Sequence, residues 1–404
     1  MSVAHNQLRI VRELWSRLQP LDRGVPARLQ TLLGDPRFGS RDRRLYRELL
    51  FTALRHARLL SILPEAREGE PAAIWAAHLA RACAATRETE AFRAAFTQAE
   101  TLPSVDPSPA LALVPEWFAA ECEHGPGVPA PEAIATALLA RAPVWTRLQT
   151  DAPAAVLAEW EARGWRAERH PTLPDAYRLP PETKLSACAA YLSGHYEIQD
   201  LGSQLILDAL DLGASSPGPR WLDLCAGAGG KTLQLARLLG PGARIDATDV
   251  RSSALAELRL RAGRAGLGSR IKTADTSALR RDYDGVLVDA PCSGSGTWRR
   301  SPHLMACTGV ADLAEAAATQ GSILAEAGAR VRPGGLLVYA TCSIAHRENE
   351  AVAEAFLASP AGHEFTVAPT PRDHGFPRLA HGLFLAPGIQ DNDGFYVAAF
   401  RRAD

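Results

Sequence analysis

From about residue 199 onward, short apolar runs alternate with helical stretches, and this alternation constrains the fold more than any other feature of the chain. Strand character is read at Trp221–Leu224, Arg244–Thr248, Arg270–Lys272, Gly285–Val288 and Leu336–Ala340, each followed closely by Gly, Asp, Pro or Cys. Helical periodicity lies between most of them, at Thr232–Leu239, Ser252–Ala265 and Val310–Arg330. Parallel neighbours need a long crossover, usually a helix, so the pattern predicts a mostly parallel, doubly wound α/β sheet. Such sheets hold ligands beyond the carboxyl ends of their strands. Two further candidates, Glu364–Ala368 and Gly394–Arg401, predict an antiparallel edge.

Upstream the texture differs. Residues 1 to about 100 read as helix after helix. In Arg41–Leu60, Leu45, Leu49, Ala53, Leu54 and Ala57 recur at spacings of three and four, with Arg43, Arg44, Arg47, Arg55 and Arg58 between them. That pattern predicts an amphipathic core helix with a solvated basic face. Ala99–Pro131, rich in Pro and acidic residues, reads as a linker with a short helix near Pro115–Cys122. Extended Val144–Gln149 followed by a helix at Ala152–Arg163 suggests a small α+β unit. A chain of 404 residues is long for one domain. The expected division is 1–125, helical plus linker; 126–190, small α+β; and 191–404, the α/β sheet.

Composition removes several function classes. No apolar run approaches the ~20 residues that span a bilayer, and the start, MSVAHNQLRIVRELW, has no apolar signal segment. A cytoplasmic protein without membrane partners is expected. Seven Cys with no C-x-x-C pair argue against a zinc site and a disulfide framework, so no metal is expected and the thiols are read as free. With a net charge of −1, any attraction to phosphates must come from local patches. The cations are nearly all Arg, with Lys only at 184, 231 and 272; codon bias explains this without invoking a nucleic acid.

Three strand-end motifs carry chemistry. In Leu222-Asp-Leu-Cys-Ala-Gly-Ala-Gly-Gly-Lys-Thr232, Gly227, Gly229 and Gly230 let the backbone turn tightly and approach a ligand. The spacing is not that of a Walker loop. Asp249 follows Gly227 by 22 residues, where an acid can accept from ribose hydroxyls or cap the helix at Ser252. Asp275 closes the third strand, in reach of an adenine amino group. Up to here a nicotinamide dinucleotide and S-adenosylmethionine fit equally. Asp289-Ala-Pro-Cys-Ser-Gly-Ser-Gly296 and Thr341-Cys-Ser343 then place Cys292 and Cys342 at two strand ends. Hydride transfer needs no thiol pair, whereas methylation at carbon 5 of cytosine does need a nucleophile. Thiolate addition at carbon 6 makes the ring an enamine whose carbon 5 attacks a methylsulfonium. A cation such as Lys231 favours the thiolate, and a carboxyl such as Asp289 can hydrogen-bond ring nitrogen 3.

These motifs resemble the NOP/Sun family of S-adenosylmethionine-dependent RNA cytosine-5 methyltransferases, RsmB-type members in particular. The carrying segments are Gln199-Asp200 with Ser203-Gln204, CAGAGGKT at 225–232, Asp249, Asp275 and DAPCSGSG at 289–296. Further on come Arg299-Arg300 with Pro302, TCS at 341–343, Glu348-Asn349-Glu350 and Asp393-Gly394-Phe395. The resemblance implies a class I (Rossmann-like) methyltransferase domain. It implies Cys342 as nucleophile and Cys292 as the group assisting release, with Cys292 the runner-up nucleophile by analogy with DNA cytosine methylases. Cys225, Ala226, Gly227, Ala228, Gly229, Gly230, Lys231, Asp249, Asp275 and Asp289 are then assigned to the methyl donor. Pro115-Glu-Trp117 and Ala142–Arg147 are similar to the opening of the family's RRM-like unit, and the helix at 41–60 to part of a NusB-like RNA-binding domain. The implied partner is RNA, ribosomal with transfer RNA as the alternative, bound by a monomer. Ala228 departs from the Pro common in the glycine loop, and the RRM-like unit lacks RNP aromatic signatures, which argues against base stacking there. Two other readings stay open: an RNA-binding assembly factor without catalysis, and a methyltransferase acting on protein or a small molecule.

Overall fold

Strands buried on both faces must be apolar throughout, and the central runs here are: Val286, Leu287 and Val288, then Leu337, Val338, Tyr339 and Ala340, are wholly buried. In the computed structural model, which describes residues 2–62, 70–97, 110–181, 183–213 and 218–404, these runs lie side by side in one sheet. Part of the expected linker, 99–109, lies outside the described residues. Contacts divide the chain into two units: 1–120 with 131–139 and 300–309, and 121–130 with 140–299 and 310–404. Two returning segments thus cross the boundary expected at 125, because packing partners and not chain order define a unit.

The first unit is helical. Its first six helices are α1 (Val3–Leu18), α2 (Val25–Leu33), α3 (Ser40–Arg55), α4 (Ala57–Ile62), α5 (Glu70–Ala82) and α6 (Glu90–Phe96). Leu8, Val11, Leu14 and Leu18 of α1 meet Leu45, Leu49 and Ala53 of α3 in one core cluster. The helix expected over 41–60 ends at Arg55 and restarts at Ala57. Arg55 does not join the solvated face. It is 8% exposed because the last turns of α3 are buried nearly all round, and its guanidinium lies 5.9 Å from the Phe51 ring centroid.

The second unit holds two sheets. The smaller comprises β1 (Val144–Leu148), β2 (Glu168–Arg169), β3 (Ala176–Leu179) and β4 (Tyr196–Ile198), antiparallel in the order β2-β3-β1-β4. With helices Pro153–Ala162 and Ala189–Leu192 between strands, this is the split β-α-β arrangement of RRM-like units. Its last strand lies past residue 190, since pairing with β1 places it. Leu148, Tyr177, Leu179 and Tyr196 pack on Val156 and Trp160 of the helix face. The opposite face is not open: Trp145 and Ala176 belong to the same core as Leu201, Leu205 and Phe395.

The larger sheet contains β5 (Arg220–Asp223), β6 (Arg244–Ala247), β7 (Ile271–Thr273), β8 (Tyr283–Asp289), β9 (Val331–Thr341), β10 (Phe365–Val367), β11 (Gly382–Leu385) and β12 (Phe395–Arg402). β7-β6-β5-β8-β9 run parallel, and β12 lies antiparallel beside β9 with β10 and β11 on its far edge. Every strand expected from the sequence is present, and β11 is an addition. Strand order reverses between β5 and β8, so the ligand crevice of such a fold opens beyond their carboxyl ends.

A buried polar network ties the smaller sheet to helices Leu201–Asp208 and Gly230–Leu238. Arg147 Nε donates to Gln199 Oε1 at 2.7 Å, Gln199 Nε2 to Gln234 Oε1 at 3.1 Å, and Gln234 Nε2 to the Gln204 carbonyl at 2.7 Å. Gln199 and Gln204 therefore act as structural bolts. Glu197, 1% exposed, takes Arg261 at 2.7 Å and Arg264 at 3.3 Å. Removing one partner of such a buried pair leaves an uncompensated charge.

Candidate active site

The glycine loop leaves β5 at the reversal. Ala226 N donates to the Thr248 carbonyl at 2.9 Å and Gly229 N to the Ala226 carbonyl at 2.9 Å, which folds the loop over the end of β6. Gly229 has φ +88°, and a Cβ there would lie 2.0 Å from Leu258 Cδ1, so a larger residue would be strained and would have to displace the Leu258 side chain. Arg261, seated on Glu197, donates to the Ala228 carbonyl at 2.7 Å. The departure from Pro at 228 thus leaves the loop anchored by a guanidinium.

The acids at the strand ends have separate tasks. Asp249 Oδ2 accepts from Gly227 N at 2.9 Å, and Oδ1 from Arg251 N at 2.8 Å and Arg251 Nε at 3.0 Å. These donors hold its carboxyl below the usual range despite burial. The helix at Ser252 is capped at Arg251, so Asp249 holds the glycine loop and is not the cap. Asp275 caps the short turn Thr276–Ala278 and accepts from Ser277 N at 2.9 Å. Asp223 accepts from Thr232 Oγ1 at 2.7 Å, and burial pushes it up to about 7. Its Oδ1 is buried without a hydrogen-bond partner. Val250, beside Asp249, is fully exposed. An exposed apolar side chain, a carboxylate on a glycine loop and an orphaned buried oxygen are the features a polar, planar nucleoside cofactor would satisfy.

Lys231 was expected to favour a thiolate. Its ammonium instead lies 2.8 Å from Asp289 Oδ2 and 5.3 Å from the Phe395 ring centroid. Its charge is spent on a carboxylate, so support for an ionised thiol must come from elsewhere. Cys225 is held up at about 12 by burial and by Asp223, Asp289 and Asp249, which keeps it protonated.

The two remaining thiols meet. Cys292 Sγ and Cys342 Sγ are 3.3 Å apart, at the ends of β8 and β9. The neighbouring Cys342, then burial, pushes the Cys292 thiol well up, so Cys292 keeps its proton. Their loops are laced together: Gly296 N donates to the Cys342 carbonyl at 3.0 Å, and a Cβ at Gly296 would stand 2.0 Å from the Gly394 oxygen. Sequence reasoning did not give Glu348 a role. It is wholly buried and accepts from Ser293 N at 2.8 Å, Ser293 Oγ at 2.5 Å, Ser343 Oγ at 2.6 Å and Gln320 Nε2 at 3.1 Å. Asn349 adds Nδ2 to the Ser343 carbonyl at 3.0 Å. One carboxylate therefore grips both cysteine loops. Among the described residues no group of three or more His, Cys, Asp or Glu could hold a metal ion, and no helix is long and apolar enough to cross a membrane.

Comparison with known proteins places the chain in a family. A family model described as 16S rRNA methyltransferase RsmB/F matches residues 212–401. The ribosomal RNA small subunit methyltransferase B of Escherichia coli O127:H6 is 30% identical over 311 residues, 74% of this chain and 69% of that one. The chain belongs to the RsmB/F family. The Klebsiella pneumoniae methyltransferase B is 33% identical over 267 residues, 64% of this chain, and the matched region spans 59% of the relative's length. A solved methyltransferase homologue from Pyrococcus horikoshii matches at TM-score 0.57 and 26% identity, over 67% of this chain and 90% of that one. The match to the RsmB/F model covers every residue assigned to the donor and both candidate thiols.

Proposed function

We propose that this protein methylates carbon 5 of a cytosine in RNA, from S-adenosylmethionine, through a covalent adduct between Cys342 and carbon 6. Small-subunit ribosomal RNA is the favoured substrate, because the relatives are small-subunit ribosomal RNA methyltransferases. The observation that carries the reading is the 3.3 Å contact between Cys292 and Cys342 at adjacent strand ends. Addition and elimination at carbon 6 are two acts, and two thiols in contact can divide them.

Residues of the glycine loop, with Asp249, Asp275 and Asp223, would hold the donor, whose sulfonium supplies an electrophilic methyl group. Cys342, as thiolate, adds to carbon 6 and sends the electron pair of the 5,6 double bond to carbon 5, which takes the methyl. In its protonated form Asp289, anchored by Lys231, would donate to ring nitrogen 3 during addition, since a carboxylate has no hydrogen to give that acceptor. Cys292 would give its proton to the departing Cys342 sulfur, and the Cys292 thiolate so formed would take the carbon 5 proton, whose electron pair restores the 5,6 double bond as the carbon 6–sulfur bond breaks.

Incubation with tritiated donor and RNA, followed by digestion to nucleosides, should place label in 5-methylcytidine. The Cys342→Ala variant should lose this activity while binding the donor as the native protein does. Cys292→Ala should accumulate a protein–RNA adduct, seen as a shifted band on a denaturing gel. Label in another nucleoside or in protein would overturn the proposal. Turnover by Cys342→Ala with none by Cys292→Ala would exchange the two roles.

A further inference from the structure

The arginines along α3 look equivalent in sequence and are not equivalent in the fold. Arg44 Nε donates to Glu88 at 2.8 Å. Arg58, in α4, is paired with Glu116 at 2.7 Å, and Arg55 is buried. Arg43 and Arg47 remain exposed, and among the described residues no carboxylate lies within ion-pair distance of either. Both line a cavity of about 640 Å³ in the helical unit, and Arg300 lines it too. Its apolar lining includes Leu29, Phe51 and Leu54, with His303 at the side, and no acidic residue takes part. Burial, with Arg23 nearby, lowers His303, which makes it a neutral hydrogen-bonding group.

Guanidinium groups above an apolar floor match a phosphodiester with its base beneath: the forks take the anionic oxygens, and Phe51 offers a face for stacking. The volume lies within the roughly 300–1,000 Å³ usual for pockets that enclose a small ligand. Arg300–His303, which lines the cavity, follows Cys292 by eight residues or more along the chain. We propose that this cavity seats one nucleotide of the single-stranded RNA substrate, its phosphate on Arg43 and Arg47 and its base on the Phe51 side. The inference rests on the RNA-methylating function proposed above and adds a capture site to it. A free nucleotide shares the chemistry; the polymer is favoured because the function proposed above takes RNA as substrate and the cavity offers cations without an acidic residue among its lining.

Deletion of residues 1–125 is not the test, because Arg300–Gly309 packs in the same unit and Trp117 Nε1 donates to the Thr308 carbonyl at 2.9 Å. The full chain carrying Arg43→Glu with Arg47→Glu should fold normally, both side chains being exposed, and Arg43→Gln with Arg47→Gln gives a milder second variant. Binding to a fluorescent transcript of small-subunit ribosomal RNA is measured across a salt series, together with donor affinity and methylation kinetics. Loss of the contacts to one single-strand phosphate should make the log–log salt slope shallower by about 0.7. RNA KM should rise about tenfold or more, with kcat and donor affinity unchanged. Cytidine monophosphate at equal nucleotide concentration should fail to displace the transcript. An unchanged slope and KM in both variants overturns the proposal, as does full displacement by the monophosphate. If the native protein makes no 5-methylcytidine yet the variants lose RNA affinity with the stated slope change, the cavity assignment is supported while the proposed chemistry fails.

Discussion

At the residue scale, the same side chain type takes different roles according to its neighbours. Cys225 and Cys292 both keep their protons, but Cys225 is surrounded by carboxylates while Cys292 touches a second sulfur. A carboxylate cluster makes a thiol inert; contact with another thiol makes it a partner in proton transfer. Asp249 likewise has more than one task, since it braces Gly227 and Arg251 and still borders the exposed Val250. Asp249→Ala should weaken S-adenosylmethionine binding by about 1.5–3 kcal/mol, the worth of lost charge-assisted hydrogen bonds. RNA affinity should stay as it is. Calorimetry giving an unchanged dissociation constant for the donor would reduce Asp249 to a brace for the loop. The glycines, the acids and both thiols were legible in the sequence because each sits in a strand-end motif of fixed spacing. Val250 was not, since exposure of an apolar side chain has no local signature.

At the scale of elements, the site is made by strand ends held in register. β8 and β9 pair directly, Asp289 opposite Ala340, so Cys292 and Cys342 leave the sheet as neighbours although 50 residues separate them. Glu348 then fixes the two loops to each other. Its donors would be orphaned in Glu348→Ala, and each buried orphan costs about 1–3 kcal/mol. A lowered melting temperature is expected, with kcat falling by about a hundredfold if the thiols drift by 1 Å, while donor affinity holds. A lowered melting temperature with unaltered kcat would mark Glu348 as structural alone. Nothing in Glu348-Asn349-Glu350 announces this. A buried carboxylate gripping two loops is a statement about donors supplied from Ser293, Gln320 and Ser343, far apart along the chain.

At the scale of the whole molecule, the small RRM-like sheet spends its second face on the methyltransferase core. Trp145, 6% exposed, packs with Leu201 and Phe395, and its Nε1 donates to the Asp391 carbonyl at 3.2 Å. Trp145→Ala should therefore cost stability, about 3–5 kcal/mol as for other large core truncations, and leave RNA affinity alone; denaturant melts and binding curves on one preparation separate the two. Weakened RNA binding at full stability would show the face to be a base-stacking surface after all. The sequence by itself determined the order of strands and helices, the turns at their ends and which side chains are candidates for the chemistry. Those depend on local spacing, on periodicity and on which residues tolerate tight turns. Tertiary structure alone decided which arginines are neutralised, which face of the small sheet is covered, and where Lys231 points. Each of these is settled by partners distant in sequence, and burial and Coulomb attraction act on distance in space, not along the chain.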